Sequence, residues 1–259
     1  GRGLLSDQPM RTMSSLPDTG RLLADVGGTH ARLAWQDGAG APIGQVRVLA
    51  VADHASLQDA IRAYLAGIGR QPAQAAIAMA NPVTGDLVRM TNHHWAFSQA
   101  ALRAEFGLAT LRVLNDFTAL ALALPFLPAH ERRQVGGGVA VPGAAIGLLG
   151  AGTGLGVSGL LPDGAGGWVP LEGEGGHVTL PATTARERLV ADGLVQRHGH
   201  ASAERVACGS GLLETFHLLC AADGADPGAL ASAAAVSEAA LAGTHPQALE
   251  ALRLFCGVL

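Results

Sequence analysis

Apolar and polar residues alternate in two short runs near the start of the chain, RLLADV (Arg21–Val26) and ARLAW (Ala31–Trp35). That period-two pattern predicts a pair of strands. Gly27, Gly28 and Thr29 lie between them and Asp25 interrupts the first run, so a carboxylate and a nearly bare backbone turn occupy the tip of a hairpin. QVRVLAV (Gln45–Val51) predicts a third strand. Ser56 is placed to cap a helix that carries Leu57, Ile61, Tyr64 and Leu65 on one face. AQAAIAMA (Ala73–Ala80) reads as a short buried strand ending at the turn NPVTGD. A helix near Ser98–Phe106 and a strand TLRVL (Thr110–Leu114) follow. NDFTALALALPFLP then opens an apolar helix at Asn115 and Asp116, which Pro125 stops.

Beyond the Arg- and Gly-rich stretch Glu131–Gly138 the pattern restarts. A strand (Ala145–Leu149), a glycine turn and a second strand (Gly156–Leu161) echo the opening hairpin, and helices are expected near Thr184–His198, Gly211–Ala221 and Pro246–Leu259. This weak repeat of strand, turn, strand and helices places the chain in the α/β class. At 259 residues it accommodates two domains. At the carboxyl end, Leu249, Leu252, Phe255, Cys256 and Leu259 form an apolar stripe that stops in mid-pattern. No glycine cap or cationic last turn closes that helix, which leads us to expect a truncated chain.

Composition narrows the chemistry. The net charge of −4 implies no general affinity for nucleic acid or anionic membrane. All 17 cationic side chains are arginines, which excludes mechanisms that depend on a Walker-A, protein-kinase or Schiff-base lysine. Cys208, Cys220 and Cys256 are far apart and form no zinc spacing, as suits a reducing cytosol. Residues 1–20 lack the apolar core of a signal peptide and read as a flexible leader. Gln134–Pro162 carries no charge and is long enough to span a bilayer, yet its ten glycines and Pro142 make a membrane helix the lesser reading.

Several motifs carry candidate chemistry. In DVGGT (Asp25–Thr29) the glycines let backbone amides approach an anion, and Asp25 suits Mg²⁺, a cation that prefers oxygen ligands. An ordinary hairpin turn explains the same residues. GAGTGLG (Gly150–Gly156) repeats the theme, and two such turns are better explained as two phosphate clamps. GLGVSG (Gly154–Gly159) matches a dinucleotide fingerprint literally, but LLPDG follows instead of a helix, so a dehydrogenase is disfavoured. In LNDF, Asn115 and Asp116 fit a hydroxyl binder and a general base, with helix capping as the commoner alternative. EGEGGH (Glu172–His177) offers directional acceptors for a polyhydroxylated ligand and lacks a third nitrogen or sulfur ligand for a metal. Glu204, in SAERVACGSG, is equally readable as a solvated charge in a helix's first turn. NHHW (Asn92–Trp95) and RHGH (Arg197–His200) read as surface or packing features.

Taken together, LLADVGGTHARLA, NPVTGD, MTNHHWAFS, VLNDFTALALALP, GAGTGLGVSGL, LEGEGGHVTL and SAERVACGSGLL resemble, in order and spacing, the proteobacterial-type glucokinases. The resemblance runs from about Arg21 to the end of the chain. It implies a two-lobed α/β fold of the ribonuclease H-like, actin-like ATPase type, with the C-terminal part missing. The implied division is a leader over 1–20, a small domain over 21–126 and an incomplete large domain over 127–259.

By the same resemblance Asp116 corresponds to the catalytic base, and Asn115, Glu174, His177 and Glu204 to residues that bind glucose hydroxyls. Asp25, Gly27, Gly28 and Thr29 resemble one phosphate loop; Gly152, Thr153 and Gly154 resemble the other; Gly209 and Gly211 resemble part of an adenosine-side motif. The implied activity is transfer of the γ-phosphoryl group of ATP, with Mg²⁺ near Asp25, to the 6-hydroxyl of D-glucose by a cytoplasmic homodimer. Relatives continue past the counterpart of LRLFCGVL with a further adenosine segment. The alternative is therefore a fragment that binds sugar without transferring phosphate.

Overall fold

The structure, a computed structural model, describes residues 20–90 and 93–259. Apart from Gly20, the leader expected over 1–20 lies outside the described residues, as does Asn92 of the NHHW motif. The chain divides into two units, the first ending at Asp116 and the second running from Phe117 to Leu259. The boundary falls within the span 21–126 assigned to the first domain from sequence.

The first unit is built on β1 (Arg21–Val26), β2 (His30–Gln36) and β3 (Ile43–Ala50), then α1 (Leu57–Ile68) and β4 (Gln74–Met79). A two-stranded ribbon, β5 (Leu87–Arg89) and β6 (Ala96–Ser98), leads into α2 (Gln99–Glu105) and β7 (Thr110–Asn115). The main sheet has the order β3-β2-β1-β4-β7. Its first three strands are antiparallel, and β4 and β7 run parallel to β1. In β1, Leu22, Ala24 and Val26 turn into the core while Asp25 faces outward. The Ser56 hydroxyl accepts from the Asp59 amide and caps α1, whose buried Leu57, Ile61, Tyr64 and Leu65 are the residues the periodicity selects. Each such side chain, fully buried, contributes about 1.5–3 kcal/mol. Trp95 of the NHHW motif is a core residue, and its indole N–H donates to the His54 carbonyl.

The second unit opens with α3 (Asp116–Ala123), whose first residue closes the first unit; a single 3₁₀ turn at Leu124–Phe126 ends it around Pro125. Next come β8 (Ile146–Ala151), β9 (Leu155–Pro162) and β10 (Trp168–Leu171), an antiparallel sheet ordered β10-β9-β8. Thus the second half of the uncharged stretch 134–162 forms a hairpin, and among the described residues no helix is long and apolar enough to cross a membrane.

Four helices complete the unit: α4 (Ala185–His198), α5 (Gly209–Asp223), α6 (Ala233–Ala242) and α7 (Pro246–Val258). Leu194, Phe216, Leu219 and Val236 form the centre of their shared core. Thr184 and Glu187 form a reciprocal capping box on α4. The α4 helix is then fastened to its neighbours by Arg186, which makes paired hydrogen bonds of 2.7–2.8 Å to Asp223 and to Glu250. On α7 the deepest positions are Ala248 and Ala251, with Leu249, Leu252 and Phe255 half-buried beside them. Cys256, assigned to the apolar stripe from sequence, is exposed, because it falls on the outer side of the last turn.

Candidate active site

In the first unit the parallel strands bring the predicted residues to one edge. Val26 ends β1 opposite Met79 at the end of β4, which in turn pairs with Asn115 at the end of β7. The Gly27–Thr29 turn and the Asn115–Asp116 junction therefore stand at the same carboxyl edge, two strand spacings or about 10 Å apart. In open α/β sheets this edge is where ligands bind. The Gly27 amide donates to the His30 carbonyl at 2.9 Å, and the Thr29 carbonyl accepts from Val51 at 2.9 Å, so these groups hold the turn itself. Asp25 lies opposite Arg32 in the hairpin register, with the guanidinium 3.4 Å from the carboxylate and both side chains exposed. Asn115 donates to the carbonyl of buried Asn81 at 3.4 Å, which ties NPVTGD to the β7 terminus. Asp116 is the first residue of α3, where the helix dipole favours a negative charge.

In the second unit the predicted residues gather around the backbone of Leu155. The Gly152 amide donates to the Gly154 carbonyl at 2.8 Å and closes the turn between β8 and β9. The Gly152 carbonyl accepts from Gly209 at 2.9 Å, so the start of α5 is fixed to this turn. Glu204 does not lie in the first turn of a helix. Its Oε2 accepts the Leu155 amide proton at 2.9 Å, while its own amide donates to the Gly176 carbonyl at 2.9 Å. Gly176 belongs to the 3₁₀ turn Gly175–His177, beside which His177 Nε2 lies 3.7 Å from Glu174 Oε2. Beneath them the Leu155 side chain is buried with Ala203 and Ala207.

The glycines of this region differ in what they permit. A Cβ on Gly154 would lie 2.5 Å from the Glu204 carboxylate, and one on Gly176 would lie 2.2 Å from the Leu155 carbonyl. A Cβ on Gly211 would lie 2.5 Å from the Arg205 carbonyl, so close packing dictates that glycine. Around the Gly152 Cβ position nothing lies within 4 Å.

Three participants were not singled out from the sequence. Phe117 lays its ring where Cβ atoms of Gly150 and Gly156 would stand. Cys208 caps α5, its Sγ accepting from the Gly211 amide at 3.3 Å; a search for oxygen-bearing caps passes over it. Glu214 shares a polar cavity of about 140 Å³ with Thr153, Glu204, Cys208 and Ser210. Burial pushes the Glu214 carboxyl up, but hydrogen bonds from His198 and Arg197 outweigh it and hold it below the usual range. The RHGH motif therefore supports a wall of this cavity. A groove of about 440 Å³ beside Arg62, Leu65, Arg70 and Phe106 holds none of the predicted residues.

Comparison with known proteins supplies the family. The profile described as Glucokinase matches residues 22–259. A glucokinase of Aromatoleum aromaticum is 52% identical over 242 residues, which cover 92% of this chain and 72% of the relative. One of Chromobacterium violaceum is 50% identical over 240 residues, covering 92% of this chain and 68% of the relative. Among solved structures, a glucokinase from an Antarctic psychrotroph superposes with a TM-score of 0.82 at 32% identity, over 92% of this chain and 76% of that one.

Proposed function

The chain belongs to the glucokinase family, a family of ATP-dependent glucose phosphotransferases with the actin-like ATPase fold, and from that premise we propose how its own residues do the chemistry. Asp116 is the general base: its carboxylate takes the proton from the 6-hydroxyl of D-glucose as O6 attacks the γ-phosphorus of ATP. The bond from the γ-phosphorus to the β,γ-bridging oxygen breaks, and ADP and glucose 6-phosphate leave. Asn115, Glu174, His177 and Glu204 hydrogen-bond the other hydroxyls. A sugar lacking one of them leaves a polar group unpaired, at about 1–3 kcal/mol.

The observation that carries this reading is the shared carboxyl edge of β1, β4 and β7, which sets Asn115 and Asp116 two strands from the Gly27–Thr29 turn. Because Gly27 and Gly152 use their amides inside their own turns, the phosphate donors are the amides of Gly28, Thr29, Thr153 and Gly154, with the two threonine hydroxyls. The start of α5 at Gly209–Gly211 lies on the adenosine side.

Mg²⁺ fits one outward carboxylate, Asp25, better than a protein cage. Among the described residues no three His, Cys, Asp or Glu side chains gather to hold a metal. A cation that keeps much of its water and is held chiefly by phosphates needs only one or two such ligands. When bound it neutralises charge on the transferring phosphoryl group. Arg32, paired with Asp25, adds a second positive charge at that edge.

We place the reaction in the cytoplasm, where three unpaired cysteines are at home. The homodimer is checked by sedimentation. A coupled assay with ATP, Mg²⁺ and glucose beside glucose calorimetry tests the whole reading. Turnover with saturable sugar binding is expected; binding without turnover would leave the chain a sugar-binding protein only.

A further inference from the structure

Three hydrogen bonds fix the turn between β8 and β9: Gly152 amide to Gly154 carbonyl, Gly209 amide to Gly152 carbonyl, and Leu155 amide to Glu204 Oε2. The first two are backbone to backbone. The third depends on a side chain, and a charged acceptor makes it the strongest kind of the three. Glu204 is itself anchored to the neighbouring turn through its amide on Gly176. Its carboxylate fills the space beside Gly154 that any larger residue there would take.

From this geometry we propose that Glu204 is a positioning residue for the second phosphate turn as well as a sugar ligand. Oε2 holds the Leu155 amide and so sets the path of Gly152–Gly154, while Oε1 remains for a sugar hydroxyl. One carboxylate thus shapes the grip on nucleotide and on hexose together. The inference rests on the reading of Glu204 and of this turn given above.

Calorimetry with Mg²⁺–AMPPNP and with glucose, on the full chain and three variants, tests it. Glu204→Ala removes the acceptor, and the Kd for AMPPNP is expected to rise at least about tenfold, the loss of one good contact. Glu204→Gln retains an oxygen for the Leu155 amide, so its AMPPNP affinity stays within about threefold of wild type while glucose weakens. Gly154→Ala drives the carboxylate off that amide and is expected to weaken glucose although residue 154 is on the phosphate side. Should Glu204→Ala fail to fold, this variant decides the matter: glucose binding that it leaves unchanged, beside a glucose loss in Glu204→Gln, overturns the positioning role.

AMPPNP binding that survives Glu204→Ala, or that Glu204→Gln impairs as much as Glu204→Ala does, overturns the positioning role. Unchanged glucose binding in all three variants removes the sugar role instead. In that case a nucleotide defect rescued by glutamine still supports the positioning role. A wild-type chain that binds neither ligand overturns both.

Discussion

The ring of Phe117 lies 2.3 Å from the point where a Cβ on Gly156 would stand, and 2.4 Å from the equivalent point on Gly150. The two glycines flank the turn on paired strands, Gly150 opposite Gly156 in the register, so an aromatic ring rests on bare backbone from both. The residue that follows the proposed base is thereby packed on the hairpin of the second turn. Gly156→Ala is expected to cost about 1–3 kcal/mol, the usual penalty for overpacking. Phe117→Leu in the same chain should recover part of that loss, as urea unfolding of the single and double variants would measure.

Asp116→Asn removes the proton acceptor while keeping size and polarity. A fall in kcat of at least about 10²-fold is expected, the ordinary scale of general-base catalysis. Glucose affinity should stay close to wild type in the same preparation. Near-normal turnover would remove Asp116 from the role.

The Glu187 carboxylate accepts from the amides of Thr183 and Thr184 and from the Thr183 hydroxyl, at 2.7–2.8 Å. Hydrogen bonding from the Thr184 amide first, then from Thr183, holds its pKa down to about 2. Because the folded value is depressed, the cap stabilises above the ordinary carboxylate pKa, and its contribution fades as pH falls towards 2. Glu187→Gln should melt below wild type at pH 7, and the gap should close between pH 4.5 and 2. A gap that does not depend on pH would refute the capping role.

Arg186 bonds two carboxylates on two other helices, and those bonds raise its own pKa above the usual arginine value. Arg186→Met leaves Asp223 and Glu250 facing each other without the cation. Thermal unfolding should drop, and part of the difference should disappear in high salt, since all three side chains are about one-third exposed.

Asp25→Asn should raise the Mg²⁺ concentration needed for half-maximal AMPPNP binding without altering glucose affinity. A Mg²⁺ titration monitored by calorimetry reads this directly. An unchanged Mg²⁺ requirement would take the ion away from Asp25.

What the sequence shows clearly is local. Leu57, Ile61, Tyr64 and Leu65 share a helical face whatever the remainder of the chain does, and Ser56 announces its start. The Asn115–Asp116 step is legible because a strand pattern changes into a helix pattern there. The strands at Leu87–Arg89 and Ala96–Ser98 are three residues each, too short to show a period. Trp168–Leu171 carries Pro170, which argues against a strand unless it lies at an edge, where the sheet order places it. The helix Ala233–Ala242 is so rich in alanine that it shows little apolar stripe to detect. Glu204 passes for a solvated charge since its partner Leu155 is 49 residues away. Contacts of that range are set by how elements pack, and no window along the chain contains them.

Since a Cβ on Gly176 would meet backbone and one on Gly154 only the movable end of Glu204, while Gly152 has open space, the glycines in and beside the second turn answer to different selective pressures. A screen for folding alone, such as display of a variant library sorted on protease survival, would hold Gly176 and release the other two. A screen for phosphorylation would hold all three. The difference between those two tolerance maps separates what the polypeptide keeps for its own architecture from what it keeps for its nucleotide.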